Sequence, residues 1–269
     1  MMANSVLYGG LEINHRYFVD FFENRFKHVL NEAKALDFGC GDGRIIKAAR
    51  TKGYQFLGAD TFYGGDHDYQ SRMVKGDDNH IVAFSKNGQT PFPNNYFDYI
   101  YSNQVFEHVE DVASTLDELH RILKPNGVMV HNFPVAEYFV EGHFGVPFFH
   151  WFSKSNWARM KYASWMYELG YGYNKMPGLK KSEWLRKSAD FIDTKCFYRS
   201  LEETMRVFNA RFTISRIDKE KLLYHLNARK GMLCKLLTRL VAMTPGSVVQ
   251  MIEMRRGSIT LLCRKRLVT

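Results

Sequence analysis

Between residues 11 and 31 the chain reads LEINHRYFVDFFENRFKHVLN, and Tyr17, Phe18, Phe21, Phe22, Phe26, Val29 and Leu30 fall three and four positions apart. That spacing gathers side chains on one helical face and predicts an amphipathic helix. The period then changes. AKALDFGC is a short apolar run ending in glycines, and DGRIIKAARTKG behind it places Ile45, Ile46, Ala48 and Ala49 as in a helix that Gly53 stops. YQFLGAD, IVAFSKN, FDYIYSN and GVMVHNFP read as further buried strands, with helical DVASTLDELHRILK between the last two. Strands alternating with helices predict an α/β fold, doubly wound and Rossmann-like, with a mostly parallel sheet of about seven strands and flanking helices. Beyond Pro134 the pattern turns irregular and aromatic, from Tyr138 and Phe139 through Trp151 and Trp165 to Tyr173. LEETMRVFNAR resumes as a helix, FTISRID as a strand and SITLLCRKR as a final strand. One domain over 1–269 is expected, with a core at 34–134, an aromatic insertion or substrate cap at 135–200 and a basic amphipathic helical segment at 219–256.

Composition removes several classes. A hydrophobic fraction of 45% with 24% charged residues excludes disorder for most of the chain. Cys40, Cys196, Cys234 and Cys263 form no CxxC or Cys/His cluster, so neither a disulfide framework nor a metal site is suggested and a cytoplasmic setting is expected. No segment reads as a leader or a membrane span. The net charge of +9 is unevenly placed: residues 1–218 hold 26 basic and 26 acidic side chains, and residues 219–269 hold 11 and 2. A neutral core disfavours nucleic acid as a partner. In the tail, Leu222, Leu226, Leu233, Leu236, Leu237, Leu240 and Val241 interleave with Lys230, Lys235 and Arg239. Two readings are open for it: a peripheral contact with anionic membrane at its inner face, or a helix that covers the sheet with its charges solvated.

The candidate chemistry begins at Asp37-Phe38-Gly39-Cys40-Gly41-Asp42-Gly43, with glycine at every second position between a strand and a helix. Glycine there permits positive φ and close approach of a ligand to the main chain. Arg44 stands where a dinucleotide fingerprint needs glycine, and no GKS or GKT follows, so NAD and nucleoside triphosphates lose support. DFGCGDG resembles the first motif of class I S-adenosylmethionine-dependent methyltransferases. GAD at the end of the second strand, PFPNNYFDYIYSNQVFEHV and LHRILKPNGVMV extend the likeness over roughly residues 34–134, closest to the small-molecule branch.

The resemblance implies S-adenosylmethionine as cofactor. Its zwitterionic tail would lie along the amides of Gly39, Cys40, Gly41 and Gly43, with the Asp37 carboxylate attracting the ammonium. Asp60, at the end of the second strand, would accept from the ribose hydroxyls. The adenine would lie near Asn87-Gly88-Gln89, where the family often has an acidic residue; Asp77 and Asp78 stand further upstream. Ser102 and Asn103 would flank the sulfonium.

Methyl transfer is an in-line displacement, and a hydroxyl acceptor must also lose its proton. Ser102-Asn103-Gln104-Val105-Phe106 replaces the Asn/Asp-Pro-Pro-aromatic signature of adenine and glutamine N-methyltransferases, and no cysteine between Cys40 and Cys196 offers the nucleophile of cytosine C5 chemistry. Histidine supplies the candidate bases: His108, after the fourth strand, and His143 and His150 beside Glu141 in EGHFGVPFFHW, after the fifth. That stretch resembles a Glu-Pro-His, Pro, His-Trp pattern of methyltransferases from surface-polysaccharide gene clusters, with Gly142 in place of the proline. The seven-residue spacing of His143 and His150 fits no common zinc pattern. The expected reaction is O-methylation of a hydroxyl on a sugar, lipid-linked glycan or other small acceptor. A nucleic-acid methyltransferase and a non-catalytic scaffold that keeps the cofactor fold are the alternatives.

Overall fold

The apolar runs pair as β1 (Lys34–Phe38), β2 (Gln55–Asp60), β3 (Ile81–Ala83), β4 (Phe97–Asn103), β5 (Leu123–Phe133), β6 (Phe212–Arg216) and β7 (Ile259–Lys265). This computed structural model describes residues 11, 13–61, 80–84, 88–154, 156–173 and 179–266. The seven strands make one sheet in the order β3-β2-β1-β4-β5-β7-β6. The first five pair in parallel, and β7 runs antiparallel to both β5 and β6. The predicted α/β architecture is therefore the observed one.

Each face of the sheet has its own core. Helix α1 (Ile13–Arg25) ends six residues short of the expected segment, and the chain turns through 26–33 instead. Its Phe18 stacks on Tyr101 with ring centroids 5.0 Å apart, and Phe22 meets Phe56 edge-on at 4.9 Å. Helix α2 (Arg44–Arg50) adds Ile45, Ile46 and Ala49 to this face. On the other face α3 (Val112–Ile122) buries Leu116, Leu119 and Ile122 against Met129 and Leu261. Asp111 caps α3 by accepting from the Ser114 amide at 3.0 Å, an interaction worth about 1 kcal/mol.

The aromatic stretch folds into a cap with a core of its own. Helices α4 (Ala158–Glu168) and α5 (Lys181–Lys195) close over Phe144, Val146 and Phe149, with Trp184, Ala189 and Cys196 completing the cluster. Arg159, buried inside it, pairs with Asp193 at 2.8 Å and lies 4.1 Å over the Phe149 ring. Helix α6 (Leu201–Asn209) leads from the cap into β6.

The basic segment is three helices, α7 (Asp218–Asn227), α8 (Met232–Met243) and α9 (Gly246–Arg256). Gly231, at φ 134°, precedes α8 and Pro245 precedes α9, so no continuous helix spans 219–256. Buried Leu226, Val249 and Met254 anchor α7 and α9, whereas α8 buries no residue. No helix among the described residues is long and apolar enough to cross a membrane.

Candidate active site

Strand β1 is followed in space by β2 on one side and β4 on the other, so a crevice opens where the chain order reverses, at the carboxyl ends of the strands. The glycine turn lines it. Gly39 sits at φ 75°, and a Cβ there would lie 2.4 Å from Cγ2 of Val105; at Gly43, φ 70°, it would lie 2.5 Å from Cδ1 of Ile81. Only glycine lets the turn pass this close to its neighbours without strain. The Gly41 amide donates to Asp60 Oδ2 at 2.8 Å, which ties the turn to the end of β2.

A cavity of about 610 Å³ lies over this turn, bounded by Gly39, Gly41, Asp60, Gly88, Gln104 and His108. A neighbouring hollow of about 310 Å³ takes Asp37, Cys40, Asp42 and Asn103. Asp37 is almost fully buried, and its Oδ2 has no hydrogen-bond partner among the described residues. Burial pushes its carboxyl up to about 7; the neighbouring Tyr101 hydroxyl opposes the rise and the charge of Asp60 adds to it. Asn103 accepts from the Asn132 amide at 3.0 Å. Ser102 does not reach a cavity: it is fully buried, its hydroxyl 2.8 Å from Nδ1 of His131. Asn87, Asp77 and Asp78 lie outside the described residues.

Beside this cavity the structure joins two histidines, one from the turn after β4 and one from the segment after β5. Nε2 of His108 and Nε2 of His143 stand 3.2 Å apart, 35 positions separated in sequence. Nδ1 of His108 is 2.7 Å from the Lys195 carbonyl, and Nδ1 of His143 is 3.0 Å from Glu141 Oε1. A carbonyl and an ionised carboxylate only accept, so the network assigns a proton to Nδ1 of both rings. Both Nε2 lone pairs then face one another, an arrangement that a single proton between them relieves. Burial holds His108 below the usual imidazole value, the Lys195 carbonyl opposes this, and the charge of His143 adds to it.

Glu141 organises the pair without reaching either cavity. It is fully buried, and it accepts from the His143 amide at 2.9 Å, the Phe144 amide, the Tyr138 hydroxyl at 3.1 Å and the Tyr198 hydroxyl. Burial would raise its pKa, but the hydrogen bonds from His143 and Tyr198 outweigh that and hold it below the usual carboxylate range. Glu141, expected among the catalytic residues, lines neither the cavity of about 610 Å³ nor one of about 450 Å³ that adjoins it, and both of its oxygens are taken by these donors. His150 is also set back: its ring lies tilted against Tyr138 with centroids 4.2 Å apart, Nε2 lies 3.2 Å from the Ala136 carbonyl, and burial lowers it to about 4. Cys196 brings its sulfur within 3.9 Å of Nδ1 of His108 and 3.8 Å of Nδ1 of His143. His108, His143 and Cys196 thus bring three possible ligand atoms within 4.8 Å of one another, a Cys/His grouping that the sequence spacing did not show; both Nδ1 atoms are already hydrogen-bonded, to the Lys195 carbonyl and to Glu141.

Residues 12–197, more than half of the chain, match the family described as a methyltransferase domain. The chain belongs to that family. Among its relatives, a ubiquinone biosynthesis O-methyltransferase of Rhodopseudomonas palustris is 28% identical over 113 residues, 40% of this chain and 44% of that protein. A demethylmenaquinone methyltransferase of Staphylococcus saprophyticus is 31% identical over 106 residues, 38% and 45% of the two chains. The match thus spans less than half the length of these relatives. An S-adenosylmethionine-dependent methyltransferase from Mesorhizobium loti shares the fold, at TM-score 0.53 and 16% identity over 94% of this chain and 100% of that one.

The methyltransferase cofactor fits the residues present. The unpartnered Oδ2 of Asp37 offers a buried anion to an ammonium, and the glycine turn leaves open the space that a Cβ would fill. S-adenosylmethionine, which supplies a methyl group on a sulfonium, would be held by Asp37 and the turn at its methionine end and by Asp60 at its ribose, in the cavity that His108 also lines. A second cavity of about 450 Å³ adjoins, with Gln104 lining both; His143, Asn132, Tyr138, Lys221 and Arg256 line its wall. The His108–His143 pair therefore stands at the seam between the two cavities. Gln104, Lys221 and Tyr198 escaped the reading of the sequence. Only Gln104 stood near a motif, and nothing local marked its φ of 57°, a strained value held by its amide's 2.7 Å bond to the Asn132 carbonyl.

Proposed function

We propose that this methyltransferase uses S-adenosylmethionine to methylate a hydroxyl of a small acceptor, a sugar or lipid-linked glycan being the class the sequence favours. The observation that carries the reading is the His108–His143 pair, 3.2 Å between Nε2 atoms, at the seam between the glycine-turn cavity and the 450 Å³ cavity. When bound, the cofactor supplies an electrophilic methyl group on sulfur. An acceptor hydroxyl in the second cavity donates to Nε2 of His143. As its oxygen takes the methyl group, the proton passes to His143 and settles between the two Nε2 atoms, where it removes their repulsion. Glu141 balances the imidazolium charge. The relative named for O-methylation in ubiquinone biosynthesis supports oxygen as the atom methylated.

The test is release of adenosylhomocysteine on mixing the protein and donor with a panel of sugars, glycan lipids and catechols. His108→Ala and His143→Ala should each lower kcat by about 10²-fold or more while leaving donor affinity intact. Near-normal turnover in both variants would overturn the histidine mechanism.

The acceptor's delivery also has a candidate route. Helix α8 exposes Leu233, Leu236, Leu240 and, at 84%, Met243, while α9 exposes Met251 and Ile252. No acidic residue lies between Glu220 and Glu253, whereas Arg229, Lys230, Lys235 and Arg239 do. Apolar area with unopposed positive charge matches an anionic lipid surface. The proposal is that α8 and α9 lie on such a bilayer. Co-sedimentation with vesicles containing phosphatidylserine should be lost in Leu236→Glu/Leu240→Glu; equal recovery of that variant and the parent would overturn it.

A further inference from the structure

Most of the wall of the 450 Å³ cavity is neutral, yet it contains a buried cation. Lys221 of α7 is only 7% exposed. One of its ammonium protons is donated to Asn132 Oδ1 at 2.7 Å. Asn132 Oδ1 already accepts from Ser258 at 2.9 Å and Thr260 at 3.2 Å, so it is a crowded acceptor rather than a counter-ion. Among the described residues Lys221 has no ion pair: Asp218 is taken by Arg216 at 3.0 Å, and Glu253 by Arg256 at 3.2 Å. A cation held out of water without a carboxylate is costly, and burial lowers Lys221 to about 8 although Glu253 and Asp218 pull the other way.

Arg256 lines the same cavity from the end of α9. Its side chain is 69% exposed and keeps its surface pair with Glu253 at 3.2 Å while contributing to the rim of the cavity. Ser258 and Gly257 complete this side, and His143 lines the cavity as well. The cavity thus presents a buried ammonium, a guanidinium and a hydroxyl at one place and the proposed base at another.

The geometry points to an acceptor that carries an anionic group, a carboxylate or a phosphate, seated on Lys221 with Arg256 and Ser258, which turns its hydroxyl toward His143. This rests on the proposed reading of the cavity as the acceptor site. It narrows the acceptor to an acidic or phosphorylated molecule, since a neutral one would leave the Lys221 charge uncompensated.

Binding rather than turnover tests it. The protein is saturated with adenosylhomocysteine, so that the glycine-turn cavity is filled, and titrated calorimetrically with inorganic phosphate, with glucuronate and with glucose. At least one anion should bind more tightly than glucose, and the better one identifies the group. Lys221→Met should weaken that anion by about 10- to 100-fold, the value of a charge-assisted hydrogen bond, and Arg256→Gln by less, with glucose unaffected. Arg256 is exposed, so its variant folds and reports even where Lys221→Met does not. Failure of both anions to outbind glucose, or unchanged anion affinity in Arg256→Gln and in folded Lys221→Met, would overturn the proposal. Failure of adenosylhomocysteine to bind would instead defeat the methyltransferase reading.

Discussion

Glu141→Gln isolates what the buried carboxylate does for the histidines. Oε2 of Glu141 accepts the two backbone amides of His143 and Phe144, whose directions are fixed. Oε1 faces Nδ1 of His143 at 3.0 Å and the hydroxyls of Tyr138 and Tyr198. A carboxamide must put its oxygen where Oε2 was, so its NH₂ takes the Oε1 position. The tyrosine hydroxyls can turn and accept from it, and His143 can do so only by giving up its Nδ1 proton. The ring then carries its proton on Nε2, where it donates to Nε2 of His108 and no longer accepts from an acceptor hydroxyl. Loss of a general base costs about 10²–10⁴ in rate, and loss of the correct tautomer at a comparable buried carboxylate–histidine pair costs about 10⁴. The stability cost is smaller, about 1–3 kcal/mol, because most of the hydrogen bonds re-form with a neutral partner. The assay is adenosylhomocysteine release at saturating donor, paired with nitrogen NMR of the imidazoles, which reads the tautomer directly. A kcat within about threefold of the parent, or a His143 that keeps its Nδ1 proton in the variant, would exclude this role for Glu141.

Gly39→Ala should lower the thermal midpoint by the equivalent of about 1–3 kcal/mol and weaken donor binding, since φ 75° and Val105 both oppose a Cβ; an unchanged midpoint would refute this. Burial raises Asp37 to about 7, so below that pH the free protein must release a proton before the carboxylate can hold an ammonium. Adenosylmethionine affinity should therefore fall about tenfold per unit as pH drops from 7, and Asp37→Asn should flatten the dependence; a constant Kd between pH 5.5 and 7 in the parent would contradict it. Glu107 is fully buried with neither carboxylate oxygen partnered among the described residues, and burial, with the charge of Glu141, raises it from 4.5 to about 8. The folded state keeps a proton that the unfolded state loses, so this group's contribution is complete below pH 4.5 and fades as pH rises toward 8. Glu107→Gln should remove that decline, and thermal midpoints measured from pH 5 to 8 with equal slopes in both proteins would rule it out.

Much of the fold was legible because its signals are local. FDYIYSN forms β4 residue for residue, and the glycine turn falls between β1 and α2 as its strand-turn-helix order required. The misses occurred where tertiary contacts decide. The aromatic periodicity ran to residue 31, yet α1 stops at Arg25, because beyond Phe26 the chain turns back to enter β1. The leucine spacing across 219–256 suggested one segment, and Gly231 and Pro245 cut it into three helices. Ser102, grouped with Asn103 as a cofactor contact, alternates to the opposite side of β4 and disappears into the core, as the period of a strand dictates.

The α/β class, the glycine turn with Asp37 and Asp60, and three histidines as candidate bases are all readable from the chain alone, since each of these is written in neighbouring residues. Which histidines lie together depends on the tertiary fold. His108 follows β4 and His143 follows β5, and only the parallel pairing of those strands, with the cap folded over them, brings the two Nε2 atoms to 3.2 Å while turning His150 into the packing behind Tyr138. The same holds for Lys221, which reads in sequence as one more positive charge of a basic tail. Its burial beside Asn132 comes from the docking of α7 against β5 and β7, a contact across 89 positions that no local pattern encodes.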